Sequence, residues 1–231
     1  MILDQSSGGI AGWWGTKYSW SPDGQKLVWI RADGIGLVDI EENTLDAALL
    51  QYEYFSPPAQ DWSWRTTVSW SPDSQIILAT THGAPVGTEP ATASPVFNVS
   101  MAAADGSYRA DIVPRTGIWS TPKFSPNIAQ NEGEIAGRMA YLQARQWDAS
   151  INGEYDLIIA DRDGSNATII FPERNQPGLR ADQFAQDFTW SPDGGRIALI
   201  YMGNLWIVNV ETGQSHQITQ DGRASKPVWV E

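Results

Sequence analysis

The chain has 231 residues, 42% of them hydrophobic, and 15 Lys plus Arg stand against 27 Asp plus Glu for a formal net charge of −12. That balance argues against a nucleic acid or an anionic membrane surface as partner, since both need a basic footprint. There is no Cys, which rules out a disulfide framework and a thiolate metal site, and no apolar run approaches the roughly 18 residues of a spanning helix.

Residues 1–16 are Gly-rich, end in Trp13-Trp14-Gly15-Thr16, lack the regions of a signal peptide and have room for one short strand at most. Lys17-Tyr-Ser-Trp20 then opens a repeat. The turn Ser21-Pro-Asp-Gly24 follows, and after it Lys26–Ile30, rich in the β-branched and aromatic residues that strands favour. Asp33-Gly34 signals a hairpin into Ile35–Ile40. Thr44–Leu50 has helical propensity, but its place in the repeat predicts a fourth, outer strand.

The second unit has the same layout: Thr66–Trp70, a turn from Ser71, Gln75–Ala79, a long loop through Ser94, Val96–Ser100, then Arg109–Val113 beyond Asp105-Gly106. In the third, Pro122–Phe124 precedes a turn swollen by residues 128–135. Arg138–Leu142, Tyr155–Ala160 and Ala167–Phe171 complete it. The fourth runs Phe188–Trp190, a turn, Arg196–Tyr201, Asn204–Val210 and, past Thr212-Gly213, Ser215–Thr219.

The turn serines, Ser21, Ser71, Ser125 and Ser191, are 50, 54 and 66 residues apart. A period of this size marks a repeat architecture. Four strands per unit with tight turns inside it predict an all-β fold, a β-propeller of four-stranded antiparallel blades. A β-sandwich gives no reason for one turn to recur at one place in each unit. The blades fall at about 17–55, 66–116, 121–174 and 187–222 within a single domain over 1–231, and 226–230 forms a closing strand.

Trp20-Ser-Pro-Asp-Gly24, Trp70-Ser-Pro-Asp-Ser74 and Trp190-Ser-Pro-Asp-Gly194, each followed by a strand, with Ala32-Asp33-Gly34 or Ala104-Asp105-Gly106 before a later strand, resemble the repeat of the TolB C-terminal domain. Similar repeats build the propellers of tricorn-type and dipeptidyl-peptidase-type proteins. The resemblance covers roughly residues 17–231, and the third copy departs from it with Phe124 for Trp and Asn127 for Asp-Gly. It implies a non-catalytic scaffold binding a protein, peptide or small molecule, in the periplasm or another extracytoplasmic space. The alternative it implies is the gating propeller of a serine peptidase of prolyl-oligopeptidase or tricorn type. Lys226-Pro-Val-Trp-Val230 repeats the first strand of a unit, as where TolB-like rings close. Two arrangements follow, a larger ring with blades upstream of Met1 or an irregular ring with an incomplete fifth blade.

The connections on the side away from the repeat turns are long: 51–65, 80–95, 143–154 and 172–186. Connections of this length in a compact domain are commonly functional. With the segment around Trp119, they supply the expected partner-binding residues Tyr54, Trp62, Trp64, His82, Trp119, Arg145, Trp147 and Arg180, since aromatic and Arg side chains anchor interfaces. The competing reading is that the aromatics pin their own loops to the blades.

No catalytic residue, cofactor or metal is expected. Asp23, Asp73 and Asp193 recur because a turn Asp accepts hydrogen bonds from its own backbone. Asp161-Arg-Asp-Gly164 lacks the twelfth-position Glu of a calcium loop. His82 and His216 have no ligand-spaced partners, no nucleophile elbow is present, and among the innermost strands only Asp187 could serve a glycosidase-type carboxylate pair.

Overall fold

A computed structural model describes residues 16–56, 62, 64–126, 129–131, 134–181 and 188–229. The Gly-rich start, Asp187 and Val230 lie outside the described residues. The chain divides into two compact units, residues 1–114 and 115–231.

The first unit holds two blades. Strands β1 (Lys17–Trp20), β2 (Lys26–Ile30), β3 (Gly34–Asp39) and β4 (Thr44–Gln51) pair in sequence order, all antiparallel. Strands β5 (Val68–Trp70), β6 (Ile76–His82), β7 (Phe97–Ala103) and β8 (Arg109–Val113) do the same. The segment with helical propensity is therefore strand β4. Pairing with β3 in the blade outweighs the weak intrinsic preference of its Leu and Ala residues.

In the second unit, blade three opens with β9 (Lys123–Phe124). The swollen turn then contains a small hairpin, β10 (Ala129–Asn131) with β11 (Glu134–Ala136), before β12 (Arg138–Ala144), β13 (Glu154–Asp161) and β14 (Thr168–Phe171). A two-residue strand, β15 (Leu179–Arg180), adds to β13. Blade four is β16 (Phe188–Trp190), β17 (Arg196–Tyr201), β18 (Asn204–Asn209) and β19 (Ser215–Gln217). Four four-stranded antiparallel blades make this an all-β, propeller-type fold. Residues 223–229 form no strand.

The middle strands of blades two and three, β6, β7, β12 and β13, are largely buried, as sheets covered on both faces require. Between blades one and two, Val28, Ile30, Ile35, Leu37, Leu49 and Leu50 pack with Trp70, Ile77 and Ala79. All of β7 is buried, including Asn98 and Ser100. Burial is tolerated because both are hydrogen-bonded. Asp111 of β8 accepts from Asn98 Nδ2 at 2.8 Å and from Ser100 Oγ at 2.5 Å, and Thr81 Oγ1 meets Ser100 Oγ at 2.5 Å. In the second unit, Phe171, Tyr201 and Trp206 form an aromatic triangle between blades three and four, with centroids 5.0–5.8 Å apart.

The repeat turn is a small hydrogen-bonded device. The Ser21, Ser71 and Ser191 hydroxyls accept from the first amide of the second strand (Lys26, Ile76 and Arg196), each at 2.9 Å. Each also donates to the turn Asp, at 2.5 Å in Ser21–Asp23 and Ser191–Asp193 and likewise in Ser71–Asp73. The Asp accepts in turn from Gln25, Gln75 or Gly195 N at 3.0–3.1 Å. The residue after the Asp sits at positive φ, Gly24 at 73°, Ser74 at 59° and Gly194 at 67°, which explains the Gly in two of three copies. Blade three keeps the frame despite its insertion, with Arg138 N donating to Ser125 Oγ at 3.3 Å.

A second repeated contact runs from blade to blade within each unit. Trp70 Nε1 donates to Ser19 O at 3.4 Å, Trp190 Nε1 to Lys123 O at 3.3 Å, and Trp229 Nε1 to Thr189 O at 3.2 Å. In every case the acceptor is the residue just before the Trp or Phe of the preceding first strand. Trp229 thus occupies the register of a first-strand Trp, although its segment is not paired as a strand. Trp20, the first of the series, is 56% exposed.

Replacing the indole by a phenyl ring keeps most apolar burial and removes one hydrogen bond. Trp70→Phe and Trp190→Phe should each cost about 1 kcal/mol in urea unfolding. The hydrogen bonds from Ser21 and Ser191 are the largest cause holding the Asp23 and Asp193 carboxyls below the ordinary Asp value. A lowered folded-state pKa contributes stability that is complete above the unfolded-state value and vanishes as pH falls through the folded one. The Asp23→Asn/Asp193→Asn double variant should therefore lose less stability than the parent on acidification, read as melting temperature against pH.

Candidate partner-binding loops

Antiparallel order places the β2–β3, β4–β5 and β6–β7 connections at one end of the strands in the first unit, opposite the repeat turns. Strand β6 extends to His82 and β7 starts at Phe97, so the long connection covers 83–96. An aromatic cluster anchors these connections. Phe55 meets His82 edge-on at 5.2 Å, Phe97 at 5.1 Å and Trp62 at 6.2 Å. Trp64 packs edge-on to Phe97 at 5.0 Å and lies 6.0 Å from Tyr52.

Burial corrects part of the expected binding set. Trp64 is 3% and His82 4% exposed, so both are interior residues unable to meet a partner. Apolar contacts hold Trp64 inside, and hydrogen bonds hold His82, with Nδ1 2.8 Å from Glu53 O and Nε2 2.9 Å from Ser94 O. Tyr54 and Trp62 are half-buried and keep part of their surface in solvent.

In the second unit, Trp119 is also interior, 3% exposed. Its Nε1 donates to Ile151 O at 2.9 Å, and its amide donates to Tyr155 Oη at 3.3 Å. The Tyr155 hydroxyl donates onward to Ser150 O at 2.8 Å, and burial holds its pKa above the ordinary Tyr value. For Trp64, His82 and Trp119, the loop-pinning reading is the one the geometry supports.

Arg145, Trp147 and Arg180 behave differently. Arg145 donates through Nε and Nη2 to Asp156 Oδ1 at 3.0 and 2.8 Å, and through Nη1 to Glu154 Oε2 at 3.2 Å and Gln176 O at 3.0 Å. The Asp156 hydrogen bond is the main cause raising its pKa further. Arg180, with a 76% exposed side chain, has Nη2 3.8 Å from Glu154 Oε1. Glu154 also accepts from Gly178 N at 3.1 Å, tying the 172–178 segment to the pair. Trp147 is half-buried, with the Arg115 guanidinium 4.7 Å over its ring.

The structure thus brings Arg145 and Arg180 together on Glu154, and Trp147 together with Arg115, which the sequence did not single out. No sequence spacing signals either meeting, because both span connections of irregular length. Away from these loops, a groove of 320 Å³ lies beside the 210–213 turn and the Arg138–Glu211 ion pair, and the sequence carried no sign of it. Among the described residues, no group of three or more His, Cys, Asp or Glu could hold a metal ion.

Residues 137–230, under half of the chain, match the family described as the dipeptidyl peptidase IV (DPP IV) N-terminal region. Among solved structures, the chain is similar to Porphyromonas gingivalis dipeptidyl peptidase 4 (13% identity, TM-score 0.55), covering 89% of this chain and 33% of that one. A chain of a nidogen/laminin complex matches at 9% identity and TM-score 0.51, covering 83% of this chain and 59% of that one. An auxiliary nutrient binding protein from Bacteroides thetaiotaomicron VPI-5482 matches at 10% identity and TM-score 0.50, covering 91% and 43%. These likenesses are of fold, and the chain spans less than two thirds of each of these structures. No curated protein sequence matches it.

One backbone position governs the Trp119 segment. Gly117 has φ of 100°, and an added Cβ would lie 2.7 Å from Ala144 Cβ and 3.0 Å from Ser150 Cβ and the Tyr155 ring. Gly117→Ala should cost more than about 2 kcal/mol in chemical denaturation, with loss of the near-ultraviolet signal of the buried Trp119.

Proposed function

We propose that the chain is a non-catalytic propeller module that binds a protein, peptide or small ligand at the loop ends of its blades. The observation that carries this reading is the set of guanidinium and indole groups held by neighbouring side chains: Arg145 and Arg180 at Glu154, and Trp147 under Arg115. Trp147, held under Arg115, binds with little loss of side-chain freedom, and Arg180, mostly in water beside Glu154, can exchange partners. In the first unit the half-buried Trp62, edge-on to Phe55, and the half-buried Tyr54 are further candidates.

The resemblance to TolB-type repeats supports an extracytoplasmic setting. Among the described residues, no helix is long and apolar enough to cross a membrane. The match of residues 137–230 to the dipeptidyl peptidase IV N-terminal region gives equal support to a second reading, a gating propeller beside a peptidase domain. Release of N-terminal dipeptides from chromogenic substrates by the full-length gene product would favour that reading.

The binding reading is tested with a random-peptide phage library selected on the immobilised chain. Peptides enriched on the parent should bind Trp147→Ala or Arg180→Ala at least about tenfold more weakly, and should bind Leu45→Ala, altered at an exposed outer-strand residue, as they bind the parent. Equal binding to all variants would overturn the assignment of the loop ends.

A further inference from the structure

The buried imidazole of His82 holds two carbonyl oxygens, Glu53 O at 2.8 Å from Nδ1 and Ser94 O at 2.9 Å from Nε2. A carbonyl oxygen only accepts, whereas a neutral imidazole carries a single N–H. In the neutral ring one nitrogen lone pair would face a carbonyl lone pair. The imidazolium alone has a donor for each. We propose that His82 is a proton-dependent strap: protonated, it ties residues 52–56 and the 83–96 connection to the end of β6, and on losing its proton it releases one of them.

The surroundings fit a small buried cation stabilised by dipoles. Phe97 stacks on the ring at 4.9 Å and 28°, and Phe55 approaches edge-on at 5.2 Å. Neither β6 nor β7 contains a charged residue apart from His82 itself. The charged residues of the two strapped connections are Glu53 and Arg65 on one and Glu89 on the other. The carboxylate of Glu89 is engaged by the amides of Val86 at 2.9 Å and Gly87 at 3.3 Å. Asp61 lies outside the described residues. Among the described residues no side-chain carboxylate bonds to the ring, so its hydrogen-bond partners are the two carbonyls. A backbone hydrogen bond reports the strap directly, since Ser56 N donates to Thr92 O at 3.0 Å across the two connections. Gly83 N, bonded to Val96 O at 2.8 Å, reports the base of the second. These connections carry Tyr54 and Trp62, and the strap stands or falls independently of what those residues bind.

The test uses the full chain, whose only two histidines are His82 and the surface residue His216. Long-range ¹H–¹⁵N spectra recorded between about pH 5 and about pH 9 should show both His82 nitrogens protonated on the acid side. Amide exchange of Ser56 and Gly83, corrected for intrinsic rates, should rise about five- to tenfold as that signal disappears. In His82→Gln, whose neutral amide donates at every pH, the rise should be absent. One protonated and one bare nitrogen throughout the range would overturn the strap, as would matching exchange profiles in parent and variant. The spectra of the parent decide the question even if the variant fails to fold.

Discussion

In all four blades one serine hydroxyl accepts the first amide of the second strand, and in three of them it also donates to the turn carboxylate. The amide so held would otherwise be left without a partner where strand pairing begins, and a buried unpaired amide costs more than a typical hydrogen bond returns. The serine therefore fixes where the second strand begins relative to the first. Strand side chains alternate with a period of two, so this start point decides which residues face the interior. Blade three tests the dependence. Twelve residues separate Ser125 from Arg138, and the same hydroxyl–amide contact still forms, so the strands beyond it keep their places. The inserted residues hold their own hairpin outside the blade.

Register then makes the blade-to-blade contact possible. A first-strand Trp finds the carbonyl of the preceding first strand only because both strands start at the same height, and the three indole bonds share one sequence rule. An indole in this place contributes apolar area and a directional bond together, which a Leu or Ile would not. This accounts for part of the unusual Trp count in the chain. Of the others, Trp29 and Trp206 lie in strands, and Trp64 and Trp119 serve as interior anchors for connections that have no sheet to hold them.

Fold was legible in the sequence because it is carried by local, repeated chemistry. Ser-Pro-Asp-Gly marks a turn wherever it stands, and the repeat placed Thr44–Leu50 as a strand against its own propensity. The site was less legible because the same residue types do two jobs. Trp64 and Trp147 look alike in sequence, each in a long connection between strands. Phe97 and Tyr52 close over the first, while the second keeps one face for the Arg115 guanidinium. Which outcome applies depends on where a neighbouring strand ends, as β6 shows by reaching His82 and shortening the connection the spacing had implied. Nothing in the residues from Arg145 to Arg180 announces that they meet on Glu154, since the meeting needs β15 to pair with β13.

Charge supplies the last step. The chain carries twelve more acidic than basic side chains, so a guanidinium at its surface is surrounded by a field that favours intramolecular pairing. Arg145 is fully committed in this way, with Asp156 and Glu154 taking its donors. Arg180 is not: its contacts, 3.8 Å to Glu154 Oε1 and 3.4 Å to Asn152 O, are long and its side chain mostly in water, where such contacts contribute little. An acidic or carbonyl-rich ligand would meet Arg180 at small cost, because a weak pair is given up for a stronger one, whereas it could engage Arg145 only by displacing two carboxylates. Within this cluster Arg145 is the support and Arg180 the group free to exchange partners, a division of labour set by distance and exposure that residue type alone does not reveal.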